Sequence, residues 1–257
     1  MKASEIRAQA RESLKGRWGQ AILILIIAFI ITFVISFLLN LIPFIGSIIM
    51  FIITAPLSAG ILSVIMKFSR GETVGYFDFV NDAIELFGRT WGVIGHVILK
   101  MLLPVILIIV SSILLSVGAT SGLLASAAGS SGNFGGILAF IGIILYIVSM
   151  CWAIVKGLLY TVANYIMIDN PSMSTKDVVE ESERLMQGNR WRYVCLGLSF
   201  IGWNILASIT FGIGYIWLIP YMMVANVMFY LSLLGSKNTI DPISKEEPVE
   251  NTSETEE

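Results

Sequence analysis

The chain has 257 residues, 56% of them hydrophobic and 13% charged, with a mean hydropathy of +0.84. So little polar residue content cannot cover the core of a water-soluble domain of this length, which excludes a soluble fold. The net charge of −2 is too small to point to a nucleic acid or any other polyionic partner.

The 16 Lys and Arg and the 18 Asp and Glu fall into four blocks, at residues 2–17, 67–100, 156–192 and 237–257. Each apolar stretch between blocks is long enough to cross a bilayer twice, at about 20 residues per crossing. The predicted fold is therefore all-α integral membrane. It has six transmembrane helices arranged as three helical hairpins, each preceded by an amphipathic interfacial helix.

In the first block, Ile6, Ala10 and Leu14 recur at helical spacing ahead of Gly16-Arg17-Trp18. The first span starts near Ala21 and continues for roughly 20 residues without a small-x-small exit, so it reads as a membrane helix and not as a cleaved signal peptide. Asn40, Pro43, Gly46 and Ser47 supply the turn, and Pro56 falls inside the returning helix.

The second block contains Thr73-Val74-Gly75-Tyr76, four letters of a potassium-channel filter. Phe77 follows them, Glu72 and Asp78 flank them, and the segment is charged, so the match carries no channel. Phe77, Val80, Ile84 and Phe87 then mark an apolar face before Gly88-Arg89-Thr90-Trp91. His96 and Lys100 stand four residues apart at the start of the third span, just ahead of Pro104. The spans read as about 101–117 and 136–153, with the uncharged segment 118–135 between them as a flexible loop.

In the third block, Ser174 and Asp177 form a capping box after Pro171. Val178, Ser182 and Leu185 lead to Gly188-Asn189-Arg190-Trp191. Spans at 193–208 and 214–234 follow, joined at Thr210-Phe211-Gly212, with Pro220 inside the last one. The chain thus divides into a transmembrane domain, 1–235, with units about 1–66, 67–167 and 168–235, and an acidic tail, 236–257. The tail is expected to be disordered, since its seven carboxylates, two lysines and two prolines come without an aromatic residue.

The three Gly–Arg–Trp elements read as a threefold parallel repeat. An amphipathic helix lies in the headgroup plane, glycine permits an elbow, Arg stays with phosphates and Trp anchors the descending helix. The expected interfacial anchors are Arg17, Trp18, Arg89, Trp91, Arg190 and Trp191. The bias of Lys and Arg to one side puts both termini in the cytoplasm of a bacterial cell membrane. Pro56, Pro104 and Pro220 are the expected helix kinks.

Candidate chemistry is sparse. Asn164 and Asn226 are amides that either bond across helices or line a polar pathway together with Lys100 and His96. Lys100 has a full span after it and can snorkel to the interface. No span centre carries Asp or Glu, and no nucleophile–base pair, phosphate loop or metal cluster stands out, so the chain reads as no enzyme and no cofactor is expected. Membrane lipids are the expected partners, no nucleic acid is expected, the tail is the candidate contact for a cytoplasmic protein, and the oligomeric state is left open.

The segments ARESLKGRWGQAI, ESERLMQGNRW and LSFIGWNILASITFGIGYIWLIPYMMVANVMFY resemble domain-of-unknown-function family 975, an uncharacterised integral-membrane family of Firmicutes. Trp203, Gly212, Gly214, Trp217, Pro220 and Tyr221 match its pattern, and the resemblance covers about 1–235. It implies a multi-pass bacterial membrane protein without an assigned reaction. Pro56-Leu57-Ser58-Ala59-Gly60 is weakly similar to membrane domains attached to glycerophosphodiester phosphodiesterases, but that catalytic domain is absent and its activity is not implied. A membrane-organising or regulatory role is therefore expected, the alternative being a small-molecule or lipid transporter.

Overall fold

The computed structural model describes residues 2–42, 45–127 and 134–240, with side chains as far as 235. Pro43 of the first turn, the stretch 128–133 and the tail from 241 lie outside these residues. All regular structure among them is helical. The first half holds α1 (Ala3–Leu14), α2 (Trp18–Asn40), α3 (Ile45–Ser69), α4 (Asp78–Glu85) and α5 (Phe87–Ala127). Next come α6 (Phe134–Gly157), a 3-10 turn (Leu158–Tyr160), α7 (Ala163–Asp169) and α8 (Thr175–Met186). The chain closes with α9 (Arg190–Leu198), α10 (Ile201–Ile209) and α11 (Tyr215–Ile240).

Six stretches are long and apolar enough to cross a membrane: α2, α3, α5, α6 through α7, α9 with α10, and α11. Burial separates them. In α3 and α11, 44% and 56% of the most apolar window is buried, against 11% in α2 and α5. The inner pair packs with α1, α7 and α8 around Leu14, Phe68, Ile166, Met167, Phe229 and Tyr230, all fully buried. The outer helices carry exposed Phe29, Phe33, Phe37 and Phe140, an apolar surface that water would not tolerate.

The segment expected as a loop at 118–135 differs. Helix α5 continues to Ala127, and α6 starts at Phe134. The small residues serve close helix packing. A Cβ on Gly118 would overlap the Ala139 backbone, and one on Gly142 would lie 2.7 Å from the Leu115 nitrogen. Ser111 and Ser149 are buried on the same α5–α6 seam, and their hydroxyls bond to Ile108 O and Leu145 O within their own helices. Without a hydrophobic drive between helices in lipid, such small residues let backbones approach. Helix α5 has 41 residues, about 60 Å, twice the hydrocarbon thickness. Its first turns lie along α8, with Gly92 beside Thr175 and Lys100 bonded to Glu183.

Two further expectations are corrected and a third is refined. The apolar face of α4 is Phe79 and Ala83, while Phe77, Ile84 and Phe87 are exposed. Gly60 decides this, because a Cβ there would lie 2.8 Å from the Ala83 nitrogen, and its absence lets α4 cross α3. The span expected at 193–208 is present as Arg190–Ile209, with an interruption between α9 and α10 at Ser199 and Phe200, where the Ser199 hydroxyl bonds back to Leu196 O. Finally, α11 runs to Ile240, past residue 236, where the charge pattern starts the tail. Of the capping box expected at α8, the Ser174 half is present, with its Oγ accepting from the Asp177 N–H at 3.2 Å.

Candidate functional site

The glycines at two of the three Gly–Arg–Trp elements take the left-handed backbone that favours glycine, at φ +75° for Gly16 and +78° for Gly188. Gly88 does not; it lies inside α5, and the chain turns instead at Leu86. The turn after Gly16 aims Arg17 inward. Its guanidinium donates to Phe68 O at 3.3 Å and Glu72 O at 2.8 Å, and stacks 4.1 Å from the Phe68 ring centroid. Arg89 acts alike on the end of α7, donating to Asn170 O at 2.9 Å and Met173 O at 3.0 Å. Both arginines bind carbonyls at or just past a helix end, and two of these, Phe68 O and Asn170 O, also accept the backbone N–H of Gly71 and Met173. Arg190 begins α9, and its Nε is buried with no hydrogen-bond partner among the described residues.

The tryptophans differ in placement. Trp18 meets Tyr221 at 6.4 Å between ring centroids, Trp91 meets Phe51 at 5.5 Å, and Trp191 is 71% exposed. All three prolines lie inside helices: Pro56 in α3, Pro104 in α5 and Pro220 in α11.

Charged side chains close to these helix ends form two clusters. In the first, Lys67 at the end of α3 holds Asp82 of α4 at 2.8 Å, and Arg70 pairs with Asp169 at the end of α7. Tyr230 of α11 donates to the other Asp169 oxygen at 2.9 Å. A polar cavity of about 430 Å³ lies here, lined by Lys67, Arg70, Arg89, Asp82 and Glu85 among others. In the second cluster, Glu183 of α8 accepts from Lys100 Nζ at 2.8 Å and Tyr160 OH at 2.6 Å. Burial alone would raise the Glu183 carboxyl. The bonds from Lys100 and Tyr160, with the charges of Lys100 and Lys156, outweigh it and hold the carboxyl below its ordinary range.

His96 stands beside this cluster, its Nδ1 2.8 Å from Gly92 O and 3.4 Å from the Thr175 hydroxyl. Asn164, in the first turn of α7, and Asn226, in α11, are half-buried and line neither cavity described in this subsection. The filter-like letters form a loop: Val74 O accepts from Gln20, and the Gly75 N–H is taken by Asp78. Among the described residues no three His, Cys, Asp or Glu side chains are grouped to hold a metal ion, and Cys151 and Cys195 are free thiols.

A second cavity, apolar and about 400 Å³, opens between α1, α2, α10 and α11. Trp18, Trp203, Trp217 and Tyr221 form much of its wall, and Arg11 is the charged residue on it. Reading the sequence missed Asp82, Asp169, Glu183, Tyr160 and Tyr230. The one signal for Asp169 was a lone carboxylate directly after an apolar run.

Neither the curated proteins nor the solved structures contain a match to the sequence. A family model does match, over residues 1–237, and its description is a protein of unknown function. The chain belongs to that family, DUF975.

Proposed function

We propose that the chain is a multi-pass protein of the bacterial cell membrane, with both termini cytoplasmic, that acts without catalysis as a membrane-organising or regulatory scaffold. In this reading the three units are parallel repeats, and α1, α4 and α8 are the interfacial helices that precede each hairpin. Parallel use of Arg17 on the end of α3 and Arg89 on the end of α7 supports the repeat.

One observation carries the scaffold reading: Arg70, Asp169 and Tyr230 join the ends of α3 and α7 to α11, one returning helix from each unit. The pairs Lys67–Asp82, Arg70–Asp169 and Lys100–Glu183 fasten helices together, and beside them apolar side chains pack the core. Polar networks of this kind fix one arrangement of packed elements. The acidic tail is then the element offered to a cytoplasmic protein.

The competing reading is a small-molecule or lipid transporter using Asn164 and Asn226. A strain lacking the protein separates the two. Complementation should survive Asn164→Leu and fail for a chain truncated after Ile240. Loss of complementation by Asn164→Leu at normal expression would favour transport.

A further inference from the structure

We propose that the apolar cleft between α1, α2, α10 and α11 holds an acyl chain of one anionic phospholipid, with the phosphate met by Arg11. The proposal rests on the membrane reading and adds to it a defined site and a lipid class.

Size and lining come first. About 400 Å³ lies within the range of roughly 300–1,000 Å³ in which proteins bind small apolar ligands. Three tryptophans and a tyrosine give a broad, stiff apolar wall. At one end the cleft is closed, because Gly214 brings α11 against α10, where a Cβ would lie 2.7 Å from the Ala207 Cα. The Thr210 hydroxyl at that end already donates to Ala207 O and accepts from the Gly214 N–H. No free polar group waits there, which suits a hydrocarbon tail.

Charge sets the other end. Tyr221 OH donates to Arg7 O at 3.4 Å, which ties α1 to α11. Arg11 is exposed and makes no ion pair among the described residues. Arg7 lies one turn before it on α1, and Lys15 follows as the residue that ends the helix. Arg7 bonds Ser199 O through Nη1 and has a buried Nε without a partner, while Lys15 stands 3.9 Å from Glu12. A basic stripe beside an apolar cleft complements a phosphodiester headgroup. An aromatic cage alone would also suit a quaternary ammonium, but Arg11 on the wall opposes one.

The mouth decides the source. Trp203 and Trp217 are about half exposed, and so is Leu206 on the same wall. The cleft therefore opens sideways onto the surface that faces the bilayer, and lipid is what surrounds it.

The test uses the full-length protein, purified and delipidated in detergent, titrated with phosphatidylglycerol and phosphatidylcholine of identical acyl chains and followed by native mass spectrometry. Phosphatidylglycerol should bind about tenfold more tightly. Arg11→Gln should bring it down to the phosphatidylcholine level, and Lys15→Gln should leave it unchanged. Leu206→Trp, which fills the cleft from its exposed side, should weaken both lipids. Equal binding of the two lipids by the wild type, or a preference that survives Arg11→Gln, overturns the proposal. Release of the wild type from membranes by alkaline carbonate would instead defeat the membrane reading beneath it.

Discussion

Trp91 donates its indole N–H to Ile52 O at 3.2 Å, and Ile52 O is the carbonyl that Pro56 leaves without a helical donor. A proline in the interior of α3 is thus matched by a tryptophan from the start of α5. Trp91→Phe should cost about 1 kcal/mol of stability by leaving that carbonyl unpaired. In a Pro56→Ala background the helix supplies its own N–H, so the same change should cost much less. Thermal unfolding of the four proteins in detergent, treated as a double-mutant cycle, measures the coupling.

The α5–α6 seam makes a prediction at neighbouring glycines. Gly118→Ala forces a methyl into the Ala139 backbone and should destabilise by about 1–3 kcal/mol. At Gly122 the nearest atom to an added Cβ is 3.9 Å away, an ordinary contact, so Gly122→Ala should be near neutral. Comparing the unfolding midpoints of the two variants tests whether these residues pack or merely connect.

Glu183 gives a pH dependence of known sign. Its carboxyl sits below its ordinary range in the folded protein, so the tie among Lys100, Glu183 and Tyr160 is fully present above about pH 4.3, the unfolded carboxylate value. It is lost as pH falls through the lower folded value. The wild-type advantage over Glu183→Gln in thermal midpoint should therefore be constant near neutrality and shrink in acid. A difference that grows toward low pH would contradict this arrangement.

Arg17 should not be replaceable by lysine. One guanidinium reaches Phe68 O and Glu72 O together and covers the Phe68 ring, a geometry that a single ammonium cannot reproduce. Arg17→Lys should cost about 1–2 kcal/mol in unfolding experiments.

The parts of the fold written in local pattern were legible in the sequence. The spacing of Ile6, Ala10 and Leu14, and of Val178, Ser182 and Leu185, gave the buried faces of α1 and α8, and Ser174 gave the start of α8. Segment 118–127 was not legible, because Gly, Ser and Ala signal loops in water and helix contacts in lipid. The buried face of α4 depends on a gap at Gly60 in another helix, which no local pattern contains. The partners of Arg17 and Lys100 lie 51 and 83 positions away in the chain, so the residues stood out while their roles did not.

The most direct test of the account is topology. In a background lacking the two free cysteines, Cys151 and Cys195, single cysteines at Ser130 and Ser253 are exposed to a membrane-impermeant thiol reagent on intact cells. Ser130→Cys should label at once, and Ser253→Cys only after the cells are permeabilised. Equal labelling of both in intact cells would contradict a chain that crosses the membrane six times with both ends inside.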